Sequence, residues 1–494
     1  MNKRTIILAA VLNKCFRKPA ALERVAGCQI FCVMIAGALF VMPLAFSAQN
    51  QKMDTRPQQL DSLFSNLFDT KKFTGNVLIA ENGKPVFQKS YGLAFREKNE
   101  MLNDSSIFEL ASLGKQFTAM GIMILKKQGK LKYTDTLRQF FPQLPYHNIT
   151  IRHLLNHTSG LPDYLELGMK VWDSTKIMTN KDMIAMLAQQ KPPVLFAPGE
   201  EWQYSNTGYA LLGSIIEKVS GKPFRYFMKE YIYQPLQMNH TLVYHKRLDK
   251  TVLPNYAYGY VIDDISKGYV MADSAASVKT MVYSMDGVFG DGITNSTTTD
   301  LLKWDQALYT EKLVSKSTME EAFSPALLNN GKTFGYGFGW MIKNTNEFGK
   351  ILMHSGGWPG YATWIERHPE NNKTIIILAN AGHAFDKVGT IRRLLYGKEI
   401  SAFQEMKISK AKLQAFTGLY RLNSDSLKIS LEKDTLWVEG TRQPKRFLLA
   451  EEGEQFSTEK RNYKIVFEKN EKGSVNALRI TNDIGPDVWF RKDN

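Results

Sequence analysis

Ser112-Leu113-Gly114-Lys115 opens a segment that carries Phe117, Met120, Ile124 and Leu125 at helical spacing. A serine with a lysine three residues on, at the start of a helix, puts a hydroxyl and an amine on one helix face. The helix N-terminus adds partial positive charge at the serine, and a lysine desolvated among polar groups releases its proton more readily. A neutral lysine accepts the serine proton, so the serine becomes a nucleophile without a histidine–aspartate pair. The stretch therefore points to serine acyl-transfer chemistry. Two later stretches, Tyr204-Ser205-Asn206 and His354-Ser355-Gly356, supply more polar groups of the kind such a site needs.

Working outward, the chain has 494 residues, room for more than one domain. Its 44% hydrophobic and 22% charged residues are ordinary for a globular protein and argue against disorder. The formal net charge is +15, and Lys3, Arg4, Lys14, Arg17, Lys18 and Arg24, set against Glu23, place part of it in residues 1–48. The body has no dense Lys/Arg tract and no base-reading motif, which excludes nucleic acid as a partner. A moderately basic surface suits plain solvation or an anionic cell envelope.

Ala26 to Ala48 is nearly all apolar and follows basic residues. Ala45, Ser47 and Ala48 offer a signal-peptidase site, and the run is also long enough to span a bilayer. Residues 1–48 thus read as a signal peptide or a membrane anchor, with a tether through residues 26–48 in the second case. Val25-Ala26-Gly27-Cys28 has the form of a lipoprotein cleavage box, but Glu23 and Arg24 stand where apolar residues belong. Cys15, Cys28 and Cys32 all lie in this leader, so a processed chain has no disulfide and no thiolate metal site. Either reading places the body in the periplasm or outside the cell.

Leu60 to Phe68 predicts a short amphipathic helix. Val77-Leu78-Ile79-Ala80 and Pro85-Val86-Phe87 flank Asn82-Gly83, a hairpin signature. Helical patterns dominate from Ile149 to Gln237. Tyr361 to Glu366 and Thr374 to Leu378 predict adjacent antiparallel strands around Pro369-Glu370-Asn371-Asn372. Strands at both ends with helices between make an α+β fold for residues 55–397. Residues 398–410 read as a linker, and residues 411–494, with short apolar runs such as 427–431 and 463–467, predict a small C-terminal all-β domain.

None of the three motifs is specific alone. Ser409/Lys412 and Ser457/Lys460 repeat the first spacing, Tyr146-His147-Asn148 repeats the second, and Lys127-Gln128-Gly129 echoes the third. Order and context choose between the copies. Ser112 starts a helix, Tyr204 follows Pro198-Gly199 and precedes Leu211-Leu212-Gly213, and His354 precedes a predicted strand. In that order the motifs resemble the serine β-lactamase and penicillin-binding superfamily, in its class C and D,D-carboxypeptidase branch (peptidase family S12). Residues 154–163, 196–206 and 290–296 are similar to stretches of the same family, and the resemblance spans roughly residues 55–395. It implies a β-lactamase/transpeptidase-like antiparallel sheet with flanking helices and an all-helical region.

The resemblance also implies roles. Ser112 is the expected nucleophile, Lys115 its proton partner, and Tyr204 the group that shuttles protons to the leaving group. Tyrosine ordinarily holds its proton to about pH 10, so that role calls for neighbouring cations. Asn206 is expected to hold the substrate amide. His354, Ser355, Gly356 and Gly357 are expected to bind substrate, with the N–H groups of Ser112 and Gly357 forming an oxyanion hole. Many β-lactamases carry lysine where His354 stands, and a largely neutral histidine weakens the case for strong β-lactamase activity. His153 and His157 stand four apart without a matching ligand set, so no metal is expected, and no cofactor. Trp202, Tyr209, Trp340, Trp358 and Tyr361 are candidates to line the cleft or fill the core. The absence of Gly-x-Ser-x-Gly disfavours an α/β-hydrolase.

The expected protein is an exported serine hydrolase that forms an acyl-enzyme on Ser112 from a D-amino-acid peptide, an ester or a β-lactam, with cell-wall material among its partners. The alternatives are an esterase without peptidase activity and a penicillin-binding sensor that deacylates slowly.

Overall fold

Val77-Leu78-Ile79-Ala80 lacks polar alternation because its strand is covered on both faces. In the computed structural model, which describes residues 54–493 apart from 264–267, 400–405, 423–424, 442, 452–454 and 459–462, these residues lie in β1 (Phe73–Glu81). Val77 and Ile79 pack with Leu60, Phe64 and Leu67 of α1 (Arg56–Asp69), while Leu78 and Ala80 face a second, larger cluster. Each such Val, Leu or Ile contributes about 1.5–3 kcal/mol by leaving water. Asn82 and Gly83 both take positive φ, at 53° and 71°, as a two-residue hairpin turn requires, and β2 (Lys84–Tyr91) returns antiparallel. The leader 1–48, with its apolar run, cysteines and cleavage-site residues, lies outside the described residues.

The rest of the sheet comes from the far end of the body. β3 (Met341–Thr345), β4 (Gly349–Trp358), β5 (Tyr361–His368) and β6 (Lys373–Gly382) complete the order β3-β4-β5-β6-β1-β2, all antiparallel. The junction is β1 against β6, with Val77 opposite Ile377. His354 precedes the strand β5, as its surroundings suggested, and itself lies inside β4, which the apolar pattern did not mark.

α2 (Lys115–Lys127) runs beneath this sheet. Its residues Lys115 to Leu125 are all buried, so the apolar stripe understates it: this is a core helix, not a half-exposed one. α3 (Asn206–Ser220) packs against α2 within the same cluster, and α4 (Val388–Leu395) joins α1 on the opposite face. The architecture is α+β, with an antiparallel sheet between helical layers and a helix-rich insert between β2 and β3. No helix of the described residues is long and apolar enough to cross a membrane.

The C-terminal strands, from Gly418–Leu422 to Val488–Lys492, close into an eight-stranded barrel. Closure removes the open edges of a small sheet, and eight strands leave an interior that side chains fill. Tyr420, Ile429, Leu436, Phe456, Leu478 and Phe490 do so, together with Leu413 and Phe416 of α5 (Lys410–Phe416). Met406 N–H already donates to Ala450 O, so the stretch read as a linker meets the barrel before residue 410. Residues 400–405 of that stretch lie outside the described residues. The turn after Asn482 reaches back to the body: Asp483 accepts from Arg392 and Asp487 from Lys343.

Candidate active site

The short strand Phe108–Glu109 leads into a turn of 3₁₀-helix, Ala111–Gly114, that runs directly into α2. Ser112 thus sits in a 3₁₀ turn, where side chains three apart eclipse, and Lys115 is the first residue of the α-helix. Ala111, next to the serine, and Ile293, which lines the same cavity, hold φ of +49° and +62°. Left-handed backbone at non-glycine residues costs of order 1–3 kcal/mol, strain of a kind that gathers at functional sites.

Lys115 Nζ lies 3.1 Å from Ser112 Oγ, 3.0 Å from Asn206 Oδ1 and 2.6 Å from Asp291 O. Two of these partners can only accept, whereas the serine hydroxyl can also donate. Loss of one ammonium proton therefore leaves the nitrogen lone pair facing Ser112, with both other bonds kept. Asn206 begins α3, whose first turn is capped by the Ser205 side chain, and Asn206 Nδ2 donates to Asp163 Oδ2. Tyr204 sits with its ring 4.9 Å from Lys115 Nζ, and its buried hydroxyl has no partner among the described residues.

His157 holds this segment. Its ring lies 4.3 Å from that of Tyr204, and its Nδ1 accepts from Ser205 N–H. Burial, then the charge of Lys115, pushes its pKa well below 6.5. His153 caps its own short helix by accepting from Thr150 N–H, so the two histidines do not share a site.

His354 departs from the expected substrate contact. It is 1% exposed and does not line the cavity beside Ser112. Its Nδ1 meets Ser355 O at 2.6 Å and must donate, so Nε2 accepts from Tyr336 Oη at 2.9 Å. Burial, aided by the Lys115 charge, lowers its pKa to about 3. The unfolded chain therefore binds a proton that the folded one does not, and stability falls as pH drops from about 6.5 toward 3. Denaturant titrations between pH 4 and 6 are expected to show that slope reduced by about 1.4 kcal/mol per pH unit in His354→Gln. An unchanged slope would place the proton elsewhere.

Gly356 and Gly357, both expected at the substrate, are placed differently, with Gly357 on the cavity and Gly356 packed behind it. A Cβ on Gly356 would lie 2.1 Å from Leu110 O and 2.2 Å from Thr363 Oγ1, so the fold itself demands this glycine. A Cβ on Gly357 would meet no protein atom within 4 Å, and Gly357 lines the cavity. That cavity, of about 410 Å³, is also lined by Ser112, Tyr204, Asn206 and Trp358, with Tyr164, Met281, Met285 and Val288 along its walls. Of the five aromatic candidates Trp358 faces it. Tyr209, Trp340 and Tyr361 are buried in packing, and Trp202 stacks on Phe334.

The other copies of the motifs assemble nothing comparable. Ser409 and Lys412 are exposed at the start of α5, Tyr146 Oη donates to Pro192 O, and Ser457 is buried in the barrel with Lys460 outside the described residues. The motif reading missed Asp163, Asp291 and Tyr336. The first two lie within the family-like stretches 154–163 and 290–296, whereas nothing around Tyr336 marks it.

The Beta-lactamase family profile matches residues 60–398. The chain is 42% identical over 393 residues to penicillin-binding protein 4* of Bacillus subtilis, covering 77% of this chain and 87% of that protein. Among solved structures, a penicillin-binding protein homologue from Pyrococcus abyssi, described as octameric, aligns with a TM-score of 0.61 at 25% identity, over 87% of this chain and 98% of its own. A penicillin-binding protein from Bacillus halodurans aligns with a TM-score of 0.58 at 26% identity, over 67% of this chain and 98% of its own.

Proposed function

Because the chain belongs to the Beta-lactamase family, and so to the serine hydrolases, we propose that it is exported and cleaves an amide or ester through an acyl-enzyme on Ser112. The observation that carries this reading is Lys115 Nζ, held between Ser112 Oγ and two acceptors that no loss of a proton disturbs. In the first step Ser112 Oγ attacks the substrate carbonyl carbon and its proton passes to Lys115 Nζ. The oxyanion is held by the N–H groups of Ser112 and Gly357. As the bond to the leaving group breaks, that group takes a proton by way of the Tyr204 hydroxyl. Water then attacks the acyl carbon, gives up its proton along the same route, and Ser112 Oγ leaves with a proton restored. Asn206 orients Lys115 and the substrate amide. His354, with its ring 6.1 Å from that of Tyr204, holds Tyr336, and Ser355 O in turn fixes the His354 ring.

Export is inferred from the leader, and cell-wall peptides fit a protein placed outside the cytoplasm. A neutral His354 offers no cation to a β-lactam carboxylate, which favours peptide or ester substrates. The test is intact-mass kinetics of residues 49–494 with a penicillin and an activated ester, beside Ser112→Ala. A serine-dependent mass gain that decays with product release supports turnover. A stable adduct supports a slow penicillin-binding sensor instead, and neither adduct nor hydrolysis with either compound removes the support for acyl transfer.

A further inference from the structure

The cavity beside Ser112 is lined by three acids, Glu109, Asp286 and Asp291, and by no lysine, arginine or histidine. Two of the acids are engaged. Asp291 Oδ2 accepts from Tyr164 Oη at 3.0 Å, and Asp286 accepts from Arg247 Nη1 at 2.7 Å and from Arg247 N–H at 2.8 Å. Glu109 is not: it is 5% exposed and lines the cavity, and its carboxyl takes no hydrogen bond or ion pair from the described residues. Nor do its charged neighbours have a cation to spare. Arg247 is paired with Asp286 and Asp273, and Lys246 with Asp273. Two cations face two anions there, and Glu109 is the surplus carboxyl.

We propose that Glu109 anchors a positively charged group of the substrate, so that the cavity takes an amide or ester bearing a free ammonium beside an apolar side chain. This rests on the serine-hydrolase reading above. A buried carboxyl without a partner is costly, and an ammonium supplies the missing donor and charge together. Burial pushes the Glu109 pKa to about 7, against the pull of Arg247, so a bound cation also restores the ionised form. The remaining wall (Leu165, Met281, Met285, Val288, Ile293 and Trp358) is apolar and suits a hydrophobic side chain. A substrate without the amine would leave Glu109 buried and unpaired, the situation in which polar sites discriminate most strongly.

The experiment compares kcat/KM for the p-nitroanilides of both phenylalanine enantiomers with that of the same compound lacking the amine. The parent protein is expected to prefer one amine-bearing substrate by about tenfold or more. Glu109→Gln is expected to bring the ratio close to one, through a higher KM for the amine. Glu109→Asp, which keeps the charge on a shorter arm, is expected to fall between. A parent ratio near one overturns this proposal and leaves the hydrolase reading intact, whether or not the variants fold. A preference that survives in Glu109→Gln also overturns it. Hydrolysis of none of the three by the parent overturns this proposal, and the hydrolase reading is then judged on the activated ester and the penicillin.

Discussion

Lys115→Met is expected to slow acylation of Ser112 by roughly 10³- to 10⁴-fold, the scale of a lost general base acting with its nucleophile. The methionine side chain nearly matches the lysine stem in length, so the packing of α2 is largely kept. What goes is the nitrogen that faces Ser112 Oγ at 3.1 Å, together with the donor to Asn206 Oδ1 and Asp291 O. Two acceptors left unmet cost about 1–3 kcal/mol each, so a moderate fall in thermal stability accompanies the rate loss. Lys115→Arg separates charge from basicity, because arginine keeps the positive charge and does not deprotonate. If the lysine serves as a base, arginine remains as slow as methionine. If it serves only as a charge, arginine recovers most of the rate. Single-turnover acylation by an activated ester, read by intact mass, distinguishes these. A folded Lys115→Met within tenfold of the parent would remove Lys115 from the proton path.

The pairing of Ser112 with Lys115 is local, unlike the rest of the site. Ser112 and Lys115 are three apart in one turn, so local periodicity alone brings them together. Asn206 and Asp291 reach the same nitrogen from 91 and 176 residues away, and no local pattern encodes such a meeting. Sequence gave the residue type of His354 but not its surroundings. It is buried against Tyr336, which arrives from the segment before β3, so a group expected to face substrate lies off the cavity wall. For the fold, the Asn82-Gly83 hairpin and the paired strands around 369–372 were legible because turn chemistry and apolar runs are local. The joining of β1 to β6 was not, since both strands are covered on two faces and neither alternation nor length names a partner. Likewise the short C-terminal runs announced strands, whereas closure into a barrel depends on Gly418–Leu422 meeting Val488–Lys492.

Arg392→Met is expected to destabilise the protein by about 3–5 kcal/mol, because it leaves a buried carboxylate without its cation. Glu366 of β5 is fully buried and accepts from Arg392 Nε at 2.6 Å and Nη2 at 2.8 Å, with His368 Nε2 at 2.8 Å. Burial by itself would raise the Glu366 pKa, but the Arg392 charge and these hydrogen bonds outweigh it and hold it at about 2. A carboxylate depressed in this way stabilises the fold above its ordinary pKa of about 4.3. That stability is lost as pH falls from there toward 2. The variant is expected to lose this acid dependence along with the stability. Arg392 also reaches Asp483 of the barrel, at Oδ1 (3.0 Å) and O (2.8 Å), so part of the loss belongs to docking. Asp483→Asn isolates that part. Its side chain is 59% exposed, and an ion pair so open to solvent is worth about 0–1 kcal/mol. Chemistry should be spared, because Glu366 lies four residues along β5 from Ala362, the partner of Gly357, a separation of about 13 Å at ~3.3 Å per residue. Denaturant unfolding beside kcat/KM on a small ester is therefore expected to show a large loss of stability with activity within about threefold of the parent. Equal losses in both would mean that the Glu366–Arg392 pair shapes the catalytic end of the sheet. A stability change under 1 kcal/mol would mean that Glu366 finds another partner or takes up a proton.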